Sequence, residues 1–415
     1  MKFAHMADTH LGAWSSQEMK KLVSKAFEKA IDRCIGNNVD FILISGDLLE
    51  TSRPSTGALS TAAKKLREVN DAGIDVYLVP GSHDFSPSGN TMLNVLQSAD
   101  LIENVVRGKP TDDGKLLLKF TRAREEVKIT GMPGRKRSLE SKSYEELDRE
   151  GLEKEDGFKV FMFHSALDEY KPEIYKEMDS LPLSLLPKNF DYYAGGHVHK
   201  KGVFEEDRYP KIVFPGSLFP VNFKELEEFE NGGFYIVEVN NGELDISREE
   251  IEVCDIVSKK FDAQNKSPEE INNQIKNTMK DLDVRGKVVT IRVKGTLKSG
   301  RTTELNLGKI KSILIDRGAV SVKSNTRKLS TKEYEEVKVK ADDKNELEDK
   351  LIKENIGQFE LEDYSKQEKV ELAKNLYQEL SDERNEGEKK KDYRSRVAEN
   401  VIQTLDLKQK MEQIL

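Results

Sequence analysis

Histidine is scarce in this chain, six in 415 residues, and five of the six stand beside acidic or glycine-rich turns. They fall in Asp8-Thr9-His10, Gly81-Ser82-His83-Asp84, FMFHSA with His164, and Gly195-Gly196-His197-Val198-His199, while Gly46-Asp47 adds a carboxylate in a similar setting. Mixed imidazole and carboxylate ligands suit manganese, iron or zinc; calcium prefers oxygen. Two ligands at i and i+2 in extended backbone point to the same side, so Asp8 with His10, and His197 with His199, can each face a common site. Glycines before His197 permit close backbone approach and an irregular turn. Each motif alone is weak, since a lone DxH is usually a capped strand end and a histidine within a strand is usually a core residue. Their ordered succession at five strand ends is not an accident of composition. His5, inside the first strand, stands outside the set and reads as structural.

The elements that must position these residues follow from periodicity. KFAHMAD reads as a strand ending at Asp8, and Met19, Leu22, Val23, Ala26, Phe27, Ala30 and Ile31 mark a helix over about 17–36. Residues 40–45 form a second strand, 55–72 a second helix, and Val76 to Val79 a third strand running into Pro80-Gly81. Further strands are expected at 127–131, 159–163, 192–195, 212–214 and 233–239. Short apolar runs alternating with amphipathic helices indicate an α/β layer architecture, whose sites lie where strands give way to loops. Beyond residue 250, helices around 268–282 and 305–317 and strands at 288–295 and 319–325 suit a small α+β domain. The charged stretch about 339–363 reads as a tether. Val370, Ala373, Leu376, Tyr377 and Leu380 then mark one amphipathic helix, and Val397, Val401, Leu405 and Met411 another.

Net charge is -8, from 67 basic and 75 acidic residues, but it is unevenly distributed. Residues 1–250 carry -10, residues 251–330 carry +8, and residues 331–415 carry -6. The middle segment is thus a basic island, which points to a separately functioning surface. Cys34 and Cys254 cannot form a disulfide framework and lie in no CxxC pair, so a reducing compartment is expected. No apolar run is long enough to span a membrane. The N-terminal MKFAHMADTH lacks the continuous apolar stretch of a secretory signal.

The set DTHLG at 8–12, GDLLE at 46–50, GSHD at 81–84 followed by FSPSGNTMLNVLQSADLIENV, and GGHVHK at 195–200 resembles the calcineurin-like metallophosphoesterases. Within them it is similar to the meiotic-recombination-eleven nucleases of archaeal type, called SbcD in bacteria. That resemblance implies a metallophosphoesterase β-sandwich flanked by helices over 1–250, and a basic α+β capping domain that binds DNA over 251–330. It further implies a charged linker at 331–364 and a helical region at 365–415 that binds an ATPase. It implies one metal held by Asp8, His10, Asp47 and His199, and a second held by Asp47, Ser82, His164 and His197, two Mn²⁺ ions in all. Ser82 stands where the superfamily usually carries a metal-ligating asparagine. His83 would be the general acid near the leaving group, with Asp84 orienting its ring. Arg53, Lys200 and Lys201 flank the site loops and are candidate DNA contacts, ahead of Lys20, Lys21, Arg135, Lys136 and Arg137.

The implied activity is manganese-dependent hydrolysis of DNA in double-strand-break repair. It comprises 3′-to-5′ exonuclease action on duplexes and endonuclease action on single strands, in a chromosome-associated cytoplasmic homodimer partnered by an SMC-like ATPase. Two other readings stay open: a small-molecule phosphodiesterase or phosphatase of the same superfamily, and a DNA-tethering scaffold without turnover.

Overall fold

A computed structural model describes residues 1–332 apart from 87, 88, 90, 113, 125, 126, 135–140, 173–177 and 230, then 352, and 365–405 apart from 383, 386 and 387. Arg135, Lys136, Arg137, Met411 and nearly all of the expected tether lie outside the described residues.

Two six-stranded sheets dominate. Their strands, in chain order, are β1 (Lys2–Met6), β2 (Phe41–Ser45), β3 (Asp75–Val79), β4 (Glu103–Asn104), β5 (Thr121–Arg124) and β6 (Val127–Met132), then β7 (Phe158–His164), β8 (Tyr192–Gly196), β9 (Gly202–Glu206), β10 (Tyr209–Phe214), β11 (Gly232–Asn240) and β12 (Glu243–Ile251). One sheet runs β12-β11-β1-β2-β3-β4 and the other β9-β10-β8-β7-β6-β5. The strands that end at the site are parallel to their neighbours: β1 with β2, β2 with β3, and β7 with β8.

Alternation along each strand builds the layers. Phe3, Phe41, Leu43, Tyr77 and Val79 face Val160, Met162, Tyr192, Ala194 and Val213 across the space between the sheets. The opposite face of the first sheet, with Ala4, Met6, Ile42 and Ile44, is covered by helices α1 (Gln17–Gly36) and α2 (Thr56–Asp71). Phe161, Phe163, Tyr193, Ile212 and Phe214 of the second sheet pack outward against Leu186, Phe190 and Tyr209. A sandwich flanked by helices, as expected, is the result.

A short helix, α3 (Phe223–Glu228), follows the second sheet. Beyond it, β13 (Ile256–Asp262), β14 (Val288–Leu297) and β15 (Ser321–Thr331) form a three-stranded sheet accompanied by α4 (Pro268–Lys280) and α5 (Leu307–Asp316). Helices α6 (Lys366–Ser381) and α7 (Lys390–Thr404) form an antiparallel pair tied by Asn400 Nδ2 donating to Glu379 Oε2 at 2.7 Å and by Arg396 donating to Asp382 and Glu388. Contacts group the chain into two units: Met1–Phe261 with Ile275–Val293 and Asn306–Thr326, and Asp262–Gln274 with Lys294–Leu305 and Arg327–Leu415.

Within the first unit, Val288 joins the core under α1, and Arg292 makes a bidentate ion pair with the buried Glu227 of α3 at 2.6–2.9 Å. Periodicity did not reveal β12 or β13. Both carry charged residues at alternating exposed positions, so neither shows a continuous apolar run.

Candidate metal centre

Five parallel strands, three from the first sheet and two from the second, deliver their C-terminal ends to one place. Asp8 and His10 follow β1, Asp47 and Glu50 follow β2, and Ser82, His83 and Asp84 follow β3. His164 closes β7, and His197 and His199 follow β8. The first two loops continue to pair after their strands stop, through Asp8 N donating to Gly46 O, His10 N to Asp47 O and Leu11 N to Leu48 O at 2.9–3.1 Å. The sheets approach so closely that a Cβ on Gly196 would stand 1.8 Å from Ser45 O, and one on Gly46 2.0 Å from His164 Nδ1.

The ligand-type atoms converge in two inner groups, Asp8 with His10 and His199, and Asp47 with His164 and His197, and in a third, less buried one of His10, Glu50 and His83. Asp47 Oδ2 lies 3.1 Å from His164 Nε2 and 3.7 Å from His10 Nε2, between the two inner groups, while Asp47 Oδ1 accepts a hydrogen bond from His83 N at 2.8 Å. Extended i, i+2 backbone is not what positions these pairs. His197 and His199 fall in different groups, because His197 adopts φ 80° instead of extended backbone. Asp8 and His10 do converge, but through left-handed conformations at φ 52° and 45° and not through an extended strand. Such conformations cost energy away from glycine and are held by the surrounding loop pairing.

Partners fix the tautomers. His10 Nδ1 donates to Glu50 Oε2 and His199 Nδ1 to Glu225 Oε1, each at 2.9 Å, and His164 Nδ1 donates to Ser45 O at 2.8 Å. The Nε2 atoms of His10 and His199 are therefore left facing one another, 3.1 Å apart. Two lone pairs so placed require a proton or a metal ion beside them, and the separation matches adjacent ligands about 2.1 Å from one ion. The electrostatics agree. Burial opposes charging His164, yet Asp47 and Asp8 push its pKa up to about 9. Burial also opposes ionising Asp47, yet the neighbouring imidazoles hold its carboxyl below the usual range. Burial, reinforced by the charge of His164, pushes His197 down to about 4. An anionic cluster with inward-facing imidazoles fits a divalent cation in each inner group.

Ser82 is buried between Gly81, whose Cβ position would touch Asp47, and His83, whose N–H bonds Asp47. The ring of His83 is partly exposed, and its Nδ1 donates to Glu50 O at 2.8 Å. Asp84 does not reach that ring. Its buried carboxylate accepts from Leu48 N, Leu49 N and Gly81 N at 3.0–3.2 Å, bracing the second loop against the third, and burial together with Asp47 pushes its pKa up to about 7. Arg53 is exposed, and so are Lys200 and Lys201, which line a cavity of about 260 Å³ beside His199. Lys200 lies 3.5 Å from Glu228.

Sequence reading missed the carboxylates behind the histidines. Glu50 stands inside the quoted GDLLE, but nothing local distinguishes it from a surface residue. Glu225 begins a helix, and the spacing from its N-cap Asn222 announces that helix, not a site.

Residues 1–201 match the calcineurin-like phosphoesterase family. The chain is 30% identical over 297 residues to the DNA double-strand break repair protein Mre11 of Methanocaldococcus jannaschii, covering 69% of this chain and 76% of that one. It is 27% identical over 293 residues to the Mre11 of Methanococcus maripaludis, covering 68% and 73%. Against the uncharacterized metallophosphoesterase YhaO of Bacillus subtilis, identity is 24% over 312 residues, covering 71% of each. With clustered imidazoles and carboxylates at the ends of its parallel strands and that extent of likeness, the chain belongs to the Mre11 family of calcineurin-like phosphoesterases, which are metal-dependent phosphodiesterases.

Proposed function

We propose that the chain is a manganese-dependent DNA nuclease of double-strand-break repair, a 3′-to-5′ exonuclease on duplex ends and an endonuclease on single strands. The observation that carries this reading is the pair of histidine–aspartate groups sharing Asp47, with His83 at their exposed side. The names of the archaeal relatives support the choice of DNA as substrate.

The ligands are Asp8, His10, Asp47 and His199 for one ion, and Asp47, Ser82, His164 and His197 for the other. Divalent ions there would activate a water and neutralise phosphate charge during in-line displacement at phosphorus. His83 is the general acid. With Nδ1 donating to the Glu50 carbonyl, its Nε2 can carry a proton to the departing sugar oxygen, a role worth about 10²–10⁴-fold. Asp84 supports this step at one remove, by holding the loop that presents His83.

Arg53, Lys200, Lys201 and the basic segment 251–330 hold the phosphate backbone without reading sequence. The helices within 365–415 bind the coiled-coil base of an SMC-like ATPase, with 331–364 as linker, and the chain works as a homodimer on chromosomal DNA in the cytoplasm. Among the described residues no helix is long and apolar enough to cross a membrane.

The test is degradation of linear duplex DNA in Mn²⁺, beside hydrolysis of a chromogenic phosphodiester. DNA degradation that Mn²⁺ supports and chelation abolishes is the expected result. Dye turnover with DNA left intact would establish a small-molecule phosphodiesterase instead. Metal binding and DNA binding without either hydrolysis would establish a scaffold.

A further inference from the structure

The two metal positions are not built alike. At the first, Asp8 is joined by two imidazoles that are each backed by a carboxylate, His10 by Glu50 and His199 by Glu225. Glu225 is itself held, its Oε2 accepting from Val221 N at 2.9 Å and its Oε1 from Asn222 Nδ2, in a site 12% exposed. At the second position His164 is backed only by a neutral carbonyl, that of Ser45. Its carboxylate, Asp47, is shared with the first position and already accepts from His83 N. The loop residue beside it is Ser82, whose hydroxyl is a shorter and weaker donor than a carboxamide. Asp84 lies behind Asp47, with its charge spread over three backbone N–H groups.

A carboxylate behind an imidazole fixes the ring and makes the opposite nitrogen more basic, and losing it typically lowers metal affinity about 10–100-fold. Among the described residues the first position has two such supports and the second none. We infer that the positions fill in order: the Asp8–His10–His199 position captures its ion first and tightly, and the Asp47–His164–His197 position fills only as free metal rises. Glu225 and Glu50 are the positioning residues that separate the two affinities. The phosphodiesterase is thereby switched by the concentration of free divalent metal, a metal-poor enzyme holding one ion and waiting for the second. This rests on the two-ion reading of the site.

The experiment is a Mn²⁺ titration of the full-length, metal-free protein without substrate, followed by calorimetry and by electron paramagnetic resonance. Two steps at least about 10-fold apart in affinity are expected. An isolated-ion spectrum should appear at one equivalent and a spin-coupled spectrum at two. Glu225→Gln keeps a hydrogen-bond acceptor for His199 Nδ1 but removes the charge, and should weaken the first step by about 10-fold or more. Ser82→Asn should tighten the second step alone, and circular dichroism verifies that both variants fold. A plateau at one ion per chain overturns the two-ion reading on which the ordering depends. Two ions bound in a single step, or a Glu225→Gln effect confined to the second step, overturn the ordering while leaving that reading intact.

Discussion

Asp8, His10, Asp47 and His197 all hold left-handed backbone, at φ 52°, 45°, 50° and 80°. Four such residues around one centre store conformational strain of about 1–3 kcal/mol each, which the paired loops and buried carboxylates must offset. The role of His83 is separable from this scaffold, because its ring is partly exposed and belongs to neither inner ligand group. His83→Ala is expected to bind Mn²⁺ with wild-type stoichiometry while DNA hydrolysis falls by about 10² or more; full nuclease activity in that variant would remove His83 from the chemistry. His5 answers a different question. Its Nδ1 accepts from Tyr192 Oη at 2.9 Å and its Nε2 donates to Ser45 Oγ at 3.0 Å, while Ser45 Oγ donates onward to Ala194 O. This assignment requires a neutral ring, and burial pushes its pKa down from 6.5 to about 3. Above pH 6.5 the ring is neutral folded or unfolded. Between there and about pH 3 the unfolded chain takes a proton that the folded chain refuses, so stability falls with falling pH, by about 1.4 kcal/mol per unit. Unfolding free energies measured across that window should depend less steeply on pH in His5→Gln; an unchanged slope would show that His5 is not the group responsible.

At the scale of elements, closeness matters more than chemistry. Gly196 carries no ligand atom, yet Gly196→Ala would drive a methyl into Ser45 O at 1.8 Å and towards His164 Nδ1 at 2.7 Å. The expected cost is about 1–3 kcal/mol or more, seen as a lower melting temperature together with lost Mn²⁺ binding. Helix α3 is pinned similarly, by Glu227 at 5% side-chain exposure paired with Arg292, whose guanidinium also lies 5.0 Å from the Phe223 ring centroid. Arg292→Ala leaves that carboxylate buried and unpaired, and denaturant titration should register a loss of about 3–5 kcal/mol; Glu227→Leu combined with Arg292→Met should recover much of it. Legibility from sequence varied by element for a physical reason. Helices α1 and α2 could be placed almost to the residue, since a 3.6-residue apolar face ending at Gly36 or near Gly73 has few alternatives. Strands β12 and β13 could not, because partly covered strands dilute the apolar signal with charge.

For the whole molecule, the uneven charge yields a prediction that no single residue does. If the basic segment holds DNA through its phosphates, affinity must fall steeply with salt. Neutralising the exposed Lys260, Lys294 and Lys328, one on each strand of the three-stranded sheet, should lower the log–log salt slope by about one unit per residue. A slope unaltered in the triple Gln variant would place the DNA elsewhere. Residue types and their order were enough to indicate the α/β class, to single out Asp8, His10, Asp47, His164, His197 and His199 as candidate metal ligands, and to show the basic island. Those are properties of local periodicity and of side-chain chemistry, and both are carried by the chain itself. Tertiary structure alone decided that Glu50 and Glu225 stand behind two of the histidines, and that Asp84 braces a loop instead of His83. Each of those depends on which residues, 26 to 40 positions apart, are brought within 2.9–3.0 Å by the loops that follow neighbouring strands and by α3, and no local pattern encodes that distance.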